Sequence, residues 1–88
     1  MDANTIQKRV IDVLARTTGV LPKAITPKTK LWAAPLNIVW HADDEVAEPI
    51  HQLKEEFIVE IDGVVIRGWK TVADVIAYIE SVPHQPAN

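Results

Sequence analysis

The sequence contains no cysteine. Disulfides, thiolate metal sites and cysteine nucleophiles are excluded by that alone. It has a single serine, Ser81, which falls in the C-terminal tail, and no threonine between Thr29 and Thr71. The whole middle of the chain therefore lacks an aliphatic hydroxyl. With three glycines there is no glycine-rich phosphate loop, no Ser–His–Asp set is plausible, and no acid pair stands out by spacing. An enzyme is not expected. No apolar run approaches the roughly 20 residues needed to span a membrane. Met1-Asp2-Ala3-Asn4 lacks the basic-then-apolar opening of a signal peptide, so a cytoplasmic location is the expectation.

What is present suffices for one small domain. The 88 residues are 48% hydrophobic, enough to fill a core near the lower size limit for independent folding. We expect a domain over 1–82 and a disordered tail over 83–88. Charge is unevenly spread. Residues 1–30 hold six basic side chains against two acidic ones, whereas residues 31–66 hold one basic against eight acidic. An acidic middle repels nucleic-acid phosphates and attracts basic protein surfaces. No aromatic stacking residue accompanies the basic N-terminal segment, so nucleic acid is not an expected partner.

The spacing of Ile6, Val10, Val13, Leu14 and Thr17 marks one face of a first helix. Asn4 with Gln7 resembles a capping box, and Gly19 followed by Pro22 supplies a stop. Residues 20–42 form a long connection with prolines at 22, 27 and 35, yet it carries Val20, Ile25, Leu31, Leu36, Ile38, Val39, Trp32 and Trp40. A linker would be polar; this segment reads as a loop packed across helices, with a turn at Ile25-Thr26-Pro27-Lys28-Thr29. A second helix is expected to start at Asp43 or Asp44, with Val46, Ala47, Ile50, Leu53 and Phe57 as its apolar stripe. Asp43, Asp44 and Glu45 complement the positive end of its dipole. Pro49 is tolerable only in a first turn, so an irregular start is expected. Thr71 with Asp74 caps a last helix whose buried face is Val72, Val75, Ile76 and Ile79, and Pro83 ends it.

Residues 57–66 are ambiguous. Phe57-Ile58-Val59-Glu60-Ile61, then Asp62-Gly63, then Val64-Val65-Ile66 reads locally as a β-hairpin. An α+β domain with a two-stranded ribbon is the alternative to an all-α bundle. Such a ribbon is marginal unless it packs on helices.

The order of landmarks resembles a known family. Thr18-Gly19-Val20, Ala24-Ile25-Thr26-Pro27-Lys28-Thr29, Leu53-Lys54-Glu55-Glu56-Phe57, Val59-Glu60-Ile61 and Lys70-Thr71-Val72 follow one another as in the acyl carrier proteins, over nearly the whole chain. The resemblance implies an all-α four-helix bundle with a long loop between helices I and II and a short irregular helix III near Asp62–Gly68. It also shows two departures. The loop before helix II is longer than the family norm and holds Trp32 and Trp40. Counting back from Phe57 puts Asp43, or with a one-residue shift Asp44, where the family has its modified serine, and the leucine that follows that serine is replaced too. The family's phosphopantetheine arm is attached when a serine oxygen attacks the pyrophosphate of coenzyme A. A carboxylate attacking there would form a labile mixed anhydride. No arm and no other cofactor is therefore expected, and the chain is similar to bacterial carrier-like proteins with acidic residues at this position.

What the resemblance leaves is an atypical, non-catalytic carrier-like module. Asp43, Asp44, Glu45 and Glu48 preserve the acidic helix by which the family docks on basic patches of other proteins. The alternative is a degenerate carrier that holds fatty acid or lipid non-covalently within the bundle, with Trp32, Trp40 and Trp69 capping the core. Glu48-Pro49-Ile50-His51 spells the Glu-x-x-His of di-iron helices, and His41 and Asp44 lie close by in sequence. No second copy of that motif is present, and no metal is expected.

Overall fold

The computed structural model describes residues 3–38 and 48–82. Helix α1 spans Ala3–Thr18, a 3-10 helix spans Pro22–Ala24, and α2, α3 and α4 span Glu48–Phe57, Gly63–Arg67 and Val72–Ser81. Among the described residues there are four α-helices and no strand, an all-α arrangement. Residues 1–2, 39–47 and the 83–88 tail expected to be disordered lie outside them.

The expected face of α1 is its buried face: Ile6, Val10, Val13 and Leu14 are closed to solvent. Thr17, at the end of that row, is half-buried and its hydroxyl donates to the Val13 carbonyl at 2.8 Å. Asn4 lies inside the first turn of α1, so it is not the N-cap that its spacing from Gln7 predicts. Gly19 stops the helix as expected, at φ +81°, with its amide donating to the Ala15 carbonyl at 2.9 Å. A residue with a β-carbon is strained in that region.

Ile50, Leu53 and Phe57 of α2 are buried. Val46 and Ala47, the remaining members of the predicted stripe, lie outside the described residues. Pro49 is the second residue of α2 as described, in the first turn, where the missing amide costs no intrahelical bond. Helix α1 packs against both α2 and α4.

The hairpin alternative over 57–66 is overturned. Ile58 turns into the left-handed region (φ +52°) directly after α2, and the Val59 amide folds back onto the Lys54 carbonyl at 3.1 Å. That six-residue closure is a helix C-terminal cap, and it removes the start of the would-be strand. Asp62 then spends its side chain on the Val64 amide at 3.1 Å and caps α3, so Asp62-Gly63 opens a helix where the hairpin needs a turn. The short third helix expected near 62–68 is observed at Gly63–Arg67, with Gly68 as its C-cap.

Over its described residues, 20–38, the long loop is packed, as its apolar content predicts. Ile25, Leu31, Leu36 and Ile38 are buried, and Val20 and Trp32 pack on the core edge. The Thr26–Thr29 turn closes on itself, with the Thr26 amide donating to the Thr29 hydroxyl at 2.8 Å. Main-chain bonds then strap the loop to the start of α4. The Leu31 amide donates to the Lys70 carbonyl at 3.0 Å, and the Val72 and Ala73 amides donate to the Thr29 and Pro27 carbonyls at 2.9 and 2.8 Å. Two first-turn amides of α4 that have no intrahelical acceptor are satisfied this way. Asp74 reaches back past the start of the helix, accepting from the Lys70 amide at 2.8 Å and from the amide of the N-cap Thr71 at 3.1 Å through one oxygen. Ser81, which the sequence places in a tail, is the last residue of α4 and donates its hydroxyl to the Tyr78 carbonyl at 2.9 Å.

Candidate functional site

Of the four acidic residues predicted to form a docking face, Glu48 is described and Asp43, Asp44 and Glu45 lie outside the described residues. Glu48 opens α2 as described, is exposed, and accepts from the Gln52 side-chain amide at 2.8 Å across one helical turn. That spacing holds its carboxylate on the solvent face of α2, opposite Ile50 and Leu53.

Acidic character continues beyond Glu48. Residues 48–62 hold five carboxylates and one lysine, and Glu48, Glu55, Glu60 and Asp62 are all exposed. Two pairs organise the end of this surface. His51 Nε2 and Glu55 Oε1 approach to 2.7 Å, and Lys54 Nζ lies 3.8 Å from Glu60 Oε2. They flank an open groove of about 420 Å³ lined by His51, Lys54, Glu55, Ile58, Val59 and Glu60. Ile58 stands in it at 65% exposure, in the left-handed conformation that caps α2. Sequence reasoning missed this residue. Phe57-Ile58-Val59 is continuously apolar, and only the reversal of the chain at Ile58 decides that its neighbours face inward while it faces out.

Glu56 has a different task. Its Oε2 accepts from Arg9 Nε at 2.8 Å and from the Arg9 terminal nitrogen, and Arg16 lies 3.8 Å from its Oε1. The Arg9 guanidinium also sits 5.4 Å from the centre of the Phe57 ring. Glu56 therefore clamps α2 to α1 and leaves Glu48, Glu55, Glu60 and Asp62 as the outward charges.

The interior between the helices is filled by Phe57, Leu14, Leu31, Ile50, Leu53, Ile66 and Ile79. At its edge, Trp32 Nε1 donates to the Trp69 carbonyl at 2.7 Å, and the Trp69 and Tyr78 rings meet edge-on at 5.7 Å. Two of the three tryptophans thus border the core; Trp40 lies outside the described residues. Among the described residues no group of three His, Asp or Glu side chains could hold a metal ion, and His41 and Asp44 lie outside them. Also among the described residues, no helix is long and apolar enough to cross a membrane.

The amides of Lys70 and Thr71 that converge on Asp74 hold its carboxyl below the usual aspartate range, with the Lys70 charge adding to them and desolvation opposing. Asp74 serves the fold. The outward surface of residues 48–62 offers charge and exposed apolar area. No model of a known protein family matches this chain, and no curated protein matches it.

Proposed function

We propose that this chain is an acyl carrier protein-like module without a phosphopantetheine arm, acting by docking onto basic patches of other proteins through the acidic start of its second helix. The observation that carries this reading is the order of the helices. A 16-residue α1 is followed by a long connection that is packed over residues 20–38, an α2 ending in Lys54-Glu55-Glu56-Phe57, a five-residue α3 and an α4 introduced by Thr71. The resemblance of the sequence to the carrier family implies that same order. In this reading Asp43 or Asp44 stands where the family attaches its arm, and the lack of serine or threonine between Thr29 and Thr71 leaves no substitute nucleophile.

Asp43 and Asp44 then supply a fixed negative charge close to where the phosphodiester would sit, continued by Glu45 and Glu48. Complementary charge accelerates encounter with a basic partner and orients it. The site of action is the cytoplasm.

Intact mass after incubation with coenzyme A and a broad-specificity phosphopantetheinyl transferase tests the reading. The wild type stays unmodified, while Asp43→Ser or Asp44→Ser gains the mass of one arm. A gain in the wild type overturns the proposal, as does a lack of gain in both folded variants. Docking is tested separately with a protein captured on the wild-type chain. Asp43→Lys and Asp44→Lys lose affinity for it; equal binding by all three removes the acidic face.

A further inference from the structure

The two ends of this molecule's charge distribution each carry an exposed apolar residue beside an open groove. On one side is the acidic surface already described, with Ile58 at 65% exposure among Glu55, Glu60, His51 and Lys54. On the other, α1 and the 3-10 helix border a groove of about 280 Å³ lined by Asn4, Gln7, Lys8, Ile11, Asp12 and Pro22. Leu21, adjoining it in sequence, is 61% exposed, and Lys23 follows on the 3-10 helix.

Charge distinguishes the two. Residues 4–30 hold six basic side chains against Asp12. Arg9 and Arg16 are turned to Glu56, and the exposed Lys8 and Lys23 are the basic side chains at this groove and on the 3-10 helix beside it. On the acidic side Glu60 is almost fully exposed and meets Lys54 only at 3.8 Å. The two grooves share no lining residue.

We propose that these surfaces are complementary to each other, and that the occupant of the Ile58 groove is the Lys8–Leu21–Lys23 surface of a second copy of this chain. Because two different patches meet, a pair of copies joined by one such contact keeps one free surface of each kind. Such a contact extends into short head-to-tail chains unless its rotation closes a ring. Opposite charges bring the copies together, and Ile58 and Leu21 gain burial that the monomer denies them. Exposed charges are screened beyond about 8 Å at physiological salt, so association weakens as salt rises. The proposal uses residues 4–30 and 51–62 and does not depend on the role of Asp43 and Asp44.

Sedimentation velocity at low and high salt, with the chain at up to about 1 mM (the weak end of the affinity scale), reads the association. The weight-average mass of the wild type rises with concentration at low salt and returns to that of the monomer at high salt. Two charge-reversed variants supply the decisive comparison. Lys8→Glu/Lys23→Glu makes both surfaces acidic, and Glu55→Lys/Glu60→Lys makes both basic. Each alone stays monomeric, and an equal mixture of the two associates, since every acidic surface then meets a basic one. A wild type that stays monomeric at low salt overturns the proposal. So do reversed variants that associate singly as the wild type does, or a mixture that remains monomeric while circular dichroism shows both variants folded.

Discussion

The indole nitrogen of Trp32 donates to the main-chain carbonyl of Trp69 at 2.7 Å, joining the middle of the long loop to the residues that introduce α4 across 37 positions of sequence. The bond adds a side-chain rung to the main-chain bonds that Leu31, Thr29 and Pro27 make with Lys70, Val72 and Ala73. Trp32→Phe keeps most of the ring packing and deletes the donor. Urea unfolding of that variant is expected to show a loss of about 1 kcal/mol, the usual net worth of one such bond. An unchanged midpoint would mean that water replaces the indole at no cost.

Ile58 is a β-branched residue at φ +52°, largely exposed, closing α2. A left-handed conformation costs a residue with a β-carbon roughly 1–2 kcal/mol, and glycine escapes that cost while losing more chain entropy on folding. Ile58→Gly is therefore expected to stabilise the fold by about 0.5–1 kcal/mol in thermal or urea unfolding. Ile58→Val, which keeps the branching, is expected to change little. A destabilised glycine variant would count against the left-handed cap.

Glu56 ties α1 to α2 through Arg9, and both side chains are about two-thirds buried. Removing the carboxylate leaves Arg9 with less than its full set of acceptors, and hydrogen bonds to charged groups contribute about 1.5–3 kcal/mol. Glu56→Ala is expected to lose about 2 kcal/mol, with Glu56→Gln losing less because its carbonyl still accepts one bond. A double-mutant cycle with Arg9→Met isolates the pair, and a coupling near zero would show that Glu56 does not act through Arg9.

Asp74 is held below the usual aspartate range by the amides of Lys70 and Thr71. A carboxyl with a depressed folded pKa stabilises the fold above its unfolded pKa. That contribution disappears as pH falls through the folded value. Asp74→Asn is expected to be less stable than the wild type near neutral pH, by a few tenths to about 1 kcal/mol. The difference is expected to narrow on acidification below the ordinary aspartate range. A gap that stays constant from neutral to strongly acid pH would remove the ionic part of the cap.

How much of this was legible beforehand depended on whether the signal was local. Helix α1 could be read from the spacing of Ile6, Val10, Val13 and Leu14 and from Gly19. Helix α4 could be read from Thr71, Asp74 and four apolar positions, because period and cap coincide there. Residues 57–66 could not be decided locally, since Asp62-Gly63 serves equally as a hairpin turn and as a helix cap with its first residue. Ile58 at positive φ and the bond from Val59 to Lys54 break that tie, and neither is visible in composition. Long-range partners were invisible for a simpler reason. Arg9 and Glu56 are 47 positions apart, and no periodicity links them. Of the candidate docking face, the charges were legible as sequence; Glu48 is the one whose setting on α2 is described.

The strap between the long loop and α4 also imposes an order of events. During synthesis, residues 27–32 leave the ribosome well before residues 69–73, which carry their partners. Until then the loop's share of these bonds must be met by water. The amides of Val72 and Ala73 become protected only when the carbonyls of Thr29 and Pro27 reach them, so hydrogen exchange at the head of α4 reports on the loop as much as on the helix. A nascent chain stopped before Trp69 lacks every α4-side partner of this strap. For a protein built from local helices, the step that completes it is therefore non-local.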